Sequence, residues 1–184
     1  MHFILDNASN FLSFLARNAT NTHAMPQKTI ATNLDRQDRA ILRILQRDNK
    51  TPQRAIAEEV SLSAAAVQRR IAAMEQAGVI AANVAVVDAD AVSATITAIV
   101  EVTLIDERAA TVDRAKALFR DAIEVQQCYY VTGGISFVLV IVTTDMGSYE
   151  RLTRRLFAEN EGVKSYRTLV ALDRVKTGTS LVIP

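Results

Sequence analysis

The spacing of apolar residues changes period once along this chain, and that change restricts the fold more than any other feature. Between Asp35 and Gly78 hydrophobic side chains recur at three and four residues. Between Thr95 and Leu172 strictly alternating stretches are interleaved with helix-spaced ones. A helical stripe and a pleated face bury their apolar residues differently, so two separately packed units are expected. The small residues of Ala89–Ala94 read as the hinge between them. A chain of 184 residues has room for two small domains, since a single domain usually takes about 100–150.

The first unit, residues 34–83, reads as three short helices. Asp35 is placed to cap the first, whose apolar stripe is Ile41, Leu42, Ile44 and Leu45. Asp48-Asn49-Lys50 breaks it. Thr51-Pro52 opens the second, with proline at the first helical turn where its missing N–H does no harm; Ile56, Ala57 and Val60 are its buried side. Ser63 is the expected cap of the third, Val67, Ile71 and Met74 its buried face, and Gly78 its stop. Asn83–Asp88 then reads as a short extended segment, a wing strand leading into a connector.

The second unit, residues 95–184, runs β-α-β-β-α-β and ends in a tail. Ile96, Ala98, Val100, Val102 and Leu104 share one strand face. Val112, Ala115, Phe119 and Ala122 are helix-spaced, as are Met146, Tyr149, Leu152 and Leu156. Val125–Val131, Ile135–Val142 and Val163–Leu172 are strand-like, with Gly133-Gly134 as the turn. This order is the split βαβ arrangement: a four-stranded antiparallel sheet with two helices on one face. The expected class is therefore α+β, a winged helix-turn-helix followed by a ferredoxin-like βαββαβ domain. Residues 1–33 read as an N-terminal arm with no clear fold of its own, and Met25 offers an alternative start.

Composition removes several kinds of chemistry. The only histidines are His2 and His23, and Cys128 is the only cysteine. No Ser-His-Asp or Cys-His catalytic set and no His/Cys zinc site is expected in the body of the chain. A lone cysteine forms no intrachain disulfide, which points to a reducing cytoplasm. Cys128 itself is expected to be a small buried hydrophobe. The longest apolar run, Phe137–Val142, falls far short of the roughly 20 residues of a membrane-crossing helix. Asp6 interrupts the apolar start and Arg17 follows it, the wrong order for a secretory signal. Formal net charge is +1, but residues 34–83 carry eight Lys/Arg against six Asp/Glu, and residues 84–184 carry 11 against 13. The basic bias of the first unit toward anions is weak.

Two short helices joined by a tight turn suit a helix-turn-helix, whose second helix enters a major groove about 12 Å wide. The exposed side of the third helix carries Ser63, Ala64, Ala65, Ala66, Gln68 and Arg69. Alanines permit close approach and can meet thymine methyls; glutamine suits adenine, and arginine suits guanine or phosphate. The candidate DNA-contacting residues are Arg54, Ser63, Ala65, Gln68, Arg69 and Arg70, with Arg54 and Arg70 on phosphate. A second role stands open for Arg70, a bridge to an acidic neighbour in its own domain.

Three blocks carry a resemblance. Leu34–Leu42 (LDRQDRAIL), Ile56–Ile80 (IAEEVSLSAAAVQRRIAAMEQAGVI) and Val125–Gly133 (VQQCYYVTG) together resemble the leucine-responsive regulatory protein/AsnC family of transcription regulators, over about residues 34–178. The resemblance implies a winged helix-turn-helix, a connector strand over residues 84–94, and a regulation of amino-acid metabolism domain. It also implies double-stranded DNA as partner, dimers that assemble into tetramers, octamers or larger rings, and a free amino acid bound between dimers. Apart from that effector it implies no cofactor.

The site residues expected from it are Tyr130, Thr132, Gly133, Gly134 and Ser136. One departure matters. Many relatives follow the glycine at position 133 with an acidic stretch such as Asp-Tyr-Asp, whereas this chain has Gly134-Ile135-Ser136. An ammonium group taken out of water prefers a charged acceptor. Backbone carbonyls and the Ser136 hydroxyl are weaker substitutes, so amino-acid sensing and a different or absent effector both stand as readings. Beside specific regulation stand a weakly specific architectural DNA-binding protein and a ligand-sensing metabolic subunit. No recognisable set of acid, base and nucleophile favours an enzyme.

Overall fold

A computed structural model describes residues 33–184. All but the last residue of the expected N-terminal arm, with His2, His23 and Met25, lies outside them. The described residues form two compact units. One comprises residues 33–83 with Ser180–Pro184, the other Val84–Thr179.

The first unit holds α1 (Arg36–Arg47), α2 (Gln53–Val60) and α3 (Ala64–Gln76). Asp35 caps α1 in a reciprocal box: its carboxylate accepts the Asp38 N–H at 2.8 Å, and the Asp38 carboxylate accepts the Asp35 N–H at 3.1 Å. Thr51 does not cap α2. Its hydroxyl donates back to the Asp48 carbonyl at 2.8 Å, and Pro52 occupies the cap position without a side-chain bond. Ser61 takes a left-handed conformation that turns the chain between α2 and α3. The α3 C-terminus closes as a Schellman motif. Gly78 has φ +70°, its N–H donates to the Glu75 carbonyl, and the Val79 N–H donates to that of Met74. Ile41, Ile44, Ile56, Ala57, Val67 and Met74 form the core, with Leu42, Leu45, Val60 and Ile71 packed around it.

Ser180–Pro184 lies along α1. The Gln46 side chain accepts the Leu181 N–H at 2.7 Å and donates to the Leu181 carbonyl at 3.0 Å, as a neighbouring strand would. The Arg43 guanidinium donates to the Ile183 carbonyl.

The expected wing and connector strand does not form among the described residues. Asn83–Asp88 enters no ladder, and Val84, Val86 and Val87 are exposed. A strand exists only where a neighbour takes its hydrogen bonds, and no described residue does so here.

The second unit contains β1 (Ile96–Leu104), α4 (Ala109–Asp121), β2 (Val125–Tyr130), β3 (Phe137–Thr143), α5 (Met146–Thr153) and β4 (Val163–Val170). The strand order is β2-β3-β1-β4, antiparallel throughout. This is the ferredoxin-like arrangement expected. Helix α5 runs on into a π-turn, Arg154–Ala158, which buries Leu156 and Phe157 together. Alternation is clean where it matters. Ala98, Val100, Val102 and Leu104 of β1 and Phe137, Leu139 and Ile141 of β3 are buried beneath the helices. Phe119 of α4 sits between Phe137 and Phe157, edge-on to both at 5.3 and 5.9 Å between ring centres. Met146, helix-spaced with this core, is instead exposed in the first turn of α5.

The other sheet face carries Ile99, Val138, Val140, Val142, Tyr129 and Leu169, and no helix of this unit covers it. Glu101 and Arg167 cross it as a bidentate pair, both bonds 2.9 Å. Arg174 ties the hinge to the sheet: its Nε donates to the Thr97 hydroxyl at 2.7 Å and its Nη1 to Asp90 at 3.0 Å.

Phe119 is fully buried and makes two of the core's aromatic contacts. Replacing it by alanine is expected to destabilise the chain by about 3–5 kcal/mol. Urea unfolding of F119A against the parent measures this.

Candidate functional site

Two places in the fold gather the residues singled out by the sequence. The first is the exposed side of α3. Ser63 caps the helix: its hydroxyl oxygen accepts the Ala66 N–H at 3.2 Å, which leaves the hydroxyl proton free to donate outward. Ser63, Ala64, Ala65, Gln68 and Arg69 are all exposed, while Val67 and Met74 hold the opposite side in the core. Among the described residues Gln68 and Arg69 make no side-chain hydrogen bond or ion pair. Arg54, near the start of α2, is almost fully exposed and has only a long 3.7 Å contact with Glu58.

Arg70 behaves differently from Arg69. One residue is about 100° around a helix, which turns Arg70 toward the start of α1. There its Nη1 donates to Asp35 and to Asp38, each at 2.7 Å. Hydrogen bonding to the Asp38 N–H and then to Arg70 holds the Asp35 carboxyl below the usual carboxylate range. Of the two roles open to Arg70, the structure shows the intradomain bridge.

The second place is the β2–β3 turn. Gly133 and Gly134 have φ of +116° and +96°, a backbone that side chains disfavour, and both are exposed, as is Thr132. Ser136 does not face this turn as a free hydroxyl, contrary to the expectation that it would stand in as an acceptor. It is 2% exposed. Its oxygen accepts the Leu104 N–H at 3.0 Å, and its proton goes to the Glu107 carboxylate. The Ser136 backbone is equally engaged: its N–H donates to the Val102 carbonyl at 2.8 Å, and its carbonyl accepts the Val131 N–H at 2.9 Å. Its place is in the frame of the turn.

Glu107, in the β1–α4 loop, is the residue the sequence did not single out. One carboxylate oxygen takes the Ser136 hydroxyl and the other takes the Tyr130 hydroxyl at 2.7 Å. No motif joins positions 107, 130 and 136; only the sheet brings them together. The only signal in the sequence was an Asp106-Glu107 pair just ahead of a helix. Asp106 accepts the Arg108 N–H at 3.0 Å and a bond from Thr111, which hold its carboxyl below the usual range. Lys116 lies 4.9 Å from the centre of the Tyr130 ring.

Cys128 is exposed on the β2 edge and is not the buried hydrophobe expected. β2 is the outer strand of the sheet, so no neighbour covers that side. Partial desolvation still pushes its thiol up, away from the reactive thiolate. A shallow cavity of about 410 Å³ at the ends of α4 and the π-turn is lined by Arg114, Arg155, Glu159 and Glu161, among others, and by none of the expected site residues. Among the described residues no cluster suited to a metal ion is present, and no helix is long and apolar enough to cross a membrane.

Comparison with known proteins matches these two units one to one. Residues 34–81 match a winged helix-turn-helix DNA-binding model, and residues 97–181 match the Lrp/AsnC ligand binding domain. An HTH-type transcriptional regulator of Sinorhizobium fredii, y4tD, is 44% identical over 146 residues, covering 79% of this chain and 86% of that one. Among solved structures, an AsnC family transcriptional regulator from Agrobacterium tumefaciens is 30% identical with a TM-score of 0.76, covering 81% of this chain and 97% of its own. A transcriptional regulator from Neisseria meningitidis, solved as a complex with L-Met, is 26% identical with a TM-score of 0.74, covering 81% and 96%.

Burial first, and then the bond to Glu107, push the Tyr130 phenol up to about 12. A phenol whose folded value lies above its unfolded value of about 10 adds stability that is fully present below pH 10 and is lost as pH rises toward 12. Spectrophotometric titration should therefore show a late-ionising tyrosine that is absent in Y130F. In E107Q it should ionise at lower pH, though still above 10, because burial is the larger cause.

Proposed function

The chain belongs to the Lrp/AsnC family of transcription regulators, and from that premise we propose that it reads DNA through the exposed side of α3 as a symmetric oligomer answering to a small amino-acid effector. The observation that carries the DNA reading is the contrast between adjacent arginines. Arg70 is held by Asp35 and Asp38, while Arg69 and Gln68 stand exposed with no partner among the described residues. Extended polar side chains beside small alanines suit a helix that lies close against base edges. Ser63 and Ala65 lie at the end of the helix that enters the groove, and Arg54 is placed for a phosphate. The Arg70 bridge fixes α3 against α1 and so sets the angle at which that end is presented.

The uncovered sheet face supports self-association. Ile99, Tyr129 and Leu169 are 37, 53 and 45% exposed on it, beside the three β3 valines. A one-sided antiparallel sheet of this kind is best covered by a second copy, whose two-fold axis would present two α3 helices to a pseudo-palindromic site. Further assembly to tetramers or octamers fits the same reading. The effector belongs at the Gly133-Gly134 turn, where Tyr130 and Thr132 are exposed. A DNA-binding protein of this kind works in the cytoplasm, where its DNA is.

R69A should lower affinity for a specific operator with an unchanged melting temperature, and affinity of the parent should fall steeply with added salt. R70A should lower the melting temperature as well. Fluorescence anisotropy on promoter fragments, paired with thermal melts, checks both. Equal affinity for every fragment would favour an architectural role.

A further inference from the structure

Glu107 carries an unbalanced charge in an accessible position. Three acids on the sheet or in its flanking loops have cations: Glu101 pairs with Arg167, Glu124 with Arg155, Asp106 with Arg108. Glu107 is in no ion pair among the described residues and is exposed. Its partners there are the neutral hydroxyls of Tyr130 and Ser136, one on each oxygen. Holding two hydroxyls needs an acceptor, not a charge, and a carboxylate has about four acceptor positions. Two positions and the negative charge are left over.

The same partners place that charge. Tyr130 ends β2 and Ser136 stands just before β3, so Glu107 bridges the two stems of the turn between them. Across that turn, the N–H groups of Thr132, Gly133, Gly134 and Ile135 donate to no described residue. A β-carbon placed on Gly133 or Gly134 would meet nothing within 4 Å. An accessible anion therefore lies beside a run of unengaged backbone donors that open onto free space. The first suits a cation; the second suits an anion. One carboxylate and two hydroxyls are too few oxygens for a calcium ion, which takes six to eight. A small organic zwitterion supplies both charges at once.

Resting on the effector reading above, we propose that Glu107 receives the α-ammonium group of a free amino acid while the backbone N–H groups of the Gly133-Gly134 turn receive its carboxylate. The acidic partner missing from the turn itself is thus supplied by the β1–α4 loop. Ser136 and Tyr130 act as positioning residues that hold the Glu107 carboxylate over the turn.

The test is a thermal-shift and calorimetry screen of the full chain against the proteinogenic amino acids and their N-acetyl forms. The parent should be stabilised by one or a few free amino acids and by none of the N-acetylated ones. E107Q, with the same shape and no charge, should bind the responsive amino acid at least about tenfold more weakly, the loss of one charge-assisted bond. Y130F removes a partner of Glu107 but keeps the charge, and should retain most of the response. Both variants should still melt in one cooperative transition and bind DNA without ligand as the parent does, which separates lost binding from lost fold. Equal binding by E107Q and the parent overturns the role of Glu107 and leaves the effector reading standing. Equal binding by E107Q combined with loss in R114A would move the ligand to the cavity beside the π-turn. A parent that answers to no amino acid overturns both readings.

Discussion

A four-stranded sheet has two faces, and the described residues have helices for only one of them. Most of the second unit follows from that constraint. The even-numbered positions of β1 and the odd-numbered positions of β3 pack under α4 and α5, around the three phenylalanines at 119, 137 and 157. The opposite positions remain a broad apolar surface crossed by one ion pair, Glu101–Arg167. Apolar surface of that extent in water is what carries the proposal of a second copy.

In the first unit a single guanidinium does comparable service. Arg70 joins the start of α1 to the middle of α3 through the two carboxylates that also cap α1. Those carboxylates would otherwise be a small negative patch beside the exposed side of α3. Paired with Arg70 they are neutralised, and Asp35 is held ionised. An exposed and a paired arginine are separated between neighbours in the sequence, Arg69 and Arg70, by the helical step alone.

The β2–β3 turn shows a similar division. Ser136 is buried and fully bonded, so the turn has a rigid frame. Gly133 and Gly134 leave its outer side without side chains. Charge comes from a third element, the β1–α4 loop. An arrangement of rigid frame, open backbone and imported carboxylate does not depend on any contiguous motif.

Apolar periodicity by itself determined the two units, the helix order and the βαββαβ order, because burial of a helical or pleated face imposes its period on the chain. The caps at Asp35 and Ser63 and the stop at Gly78 were legible for the same local reason: each acts within four residues. The exposed face of α3 followed from its buried one. What only the tertiary structure decided were contacts between residues distant in sequence. Arg70 could reach phosphate or carboxylate, and Asp35, 35 positions earlier, settled where it goes. Cys128 has the composition of a core residue but lies on an outer strand, a fact of strand order. The wing segment has the residues of a strand but no strand partner among the described residues. Glu107 meets Ser136 across 29 residues because β1 and β3 are paired in register, and no local pattern encodes that meeting.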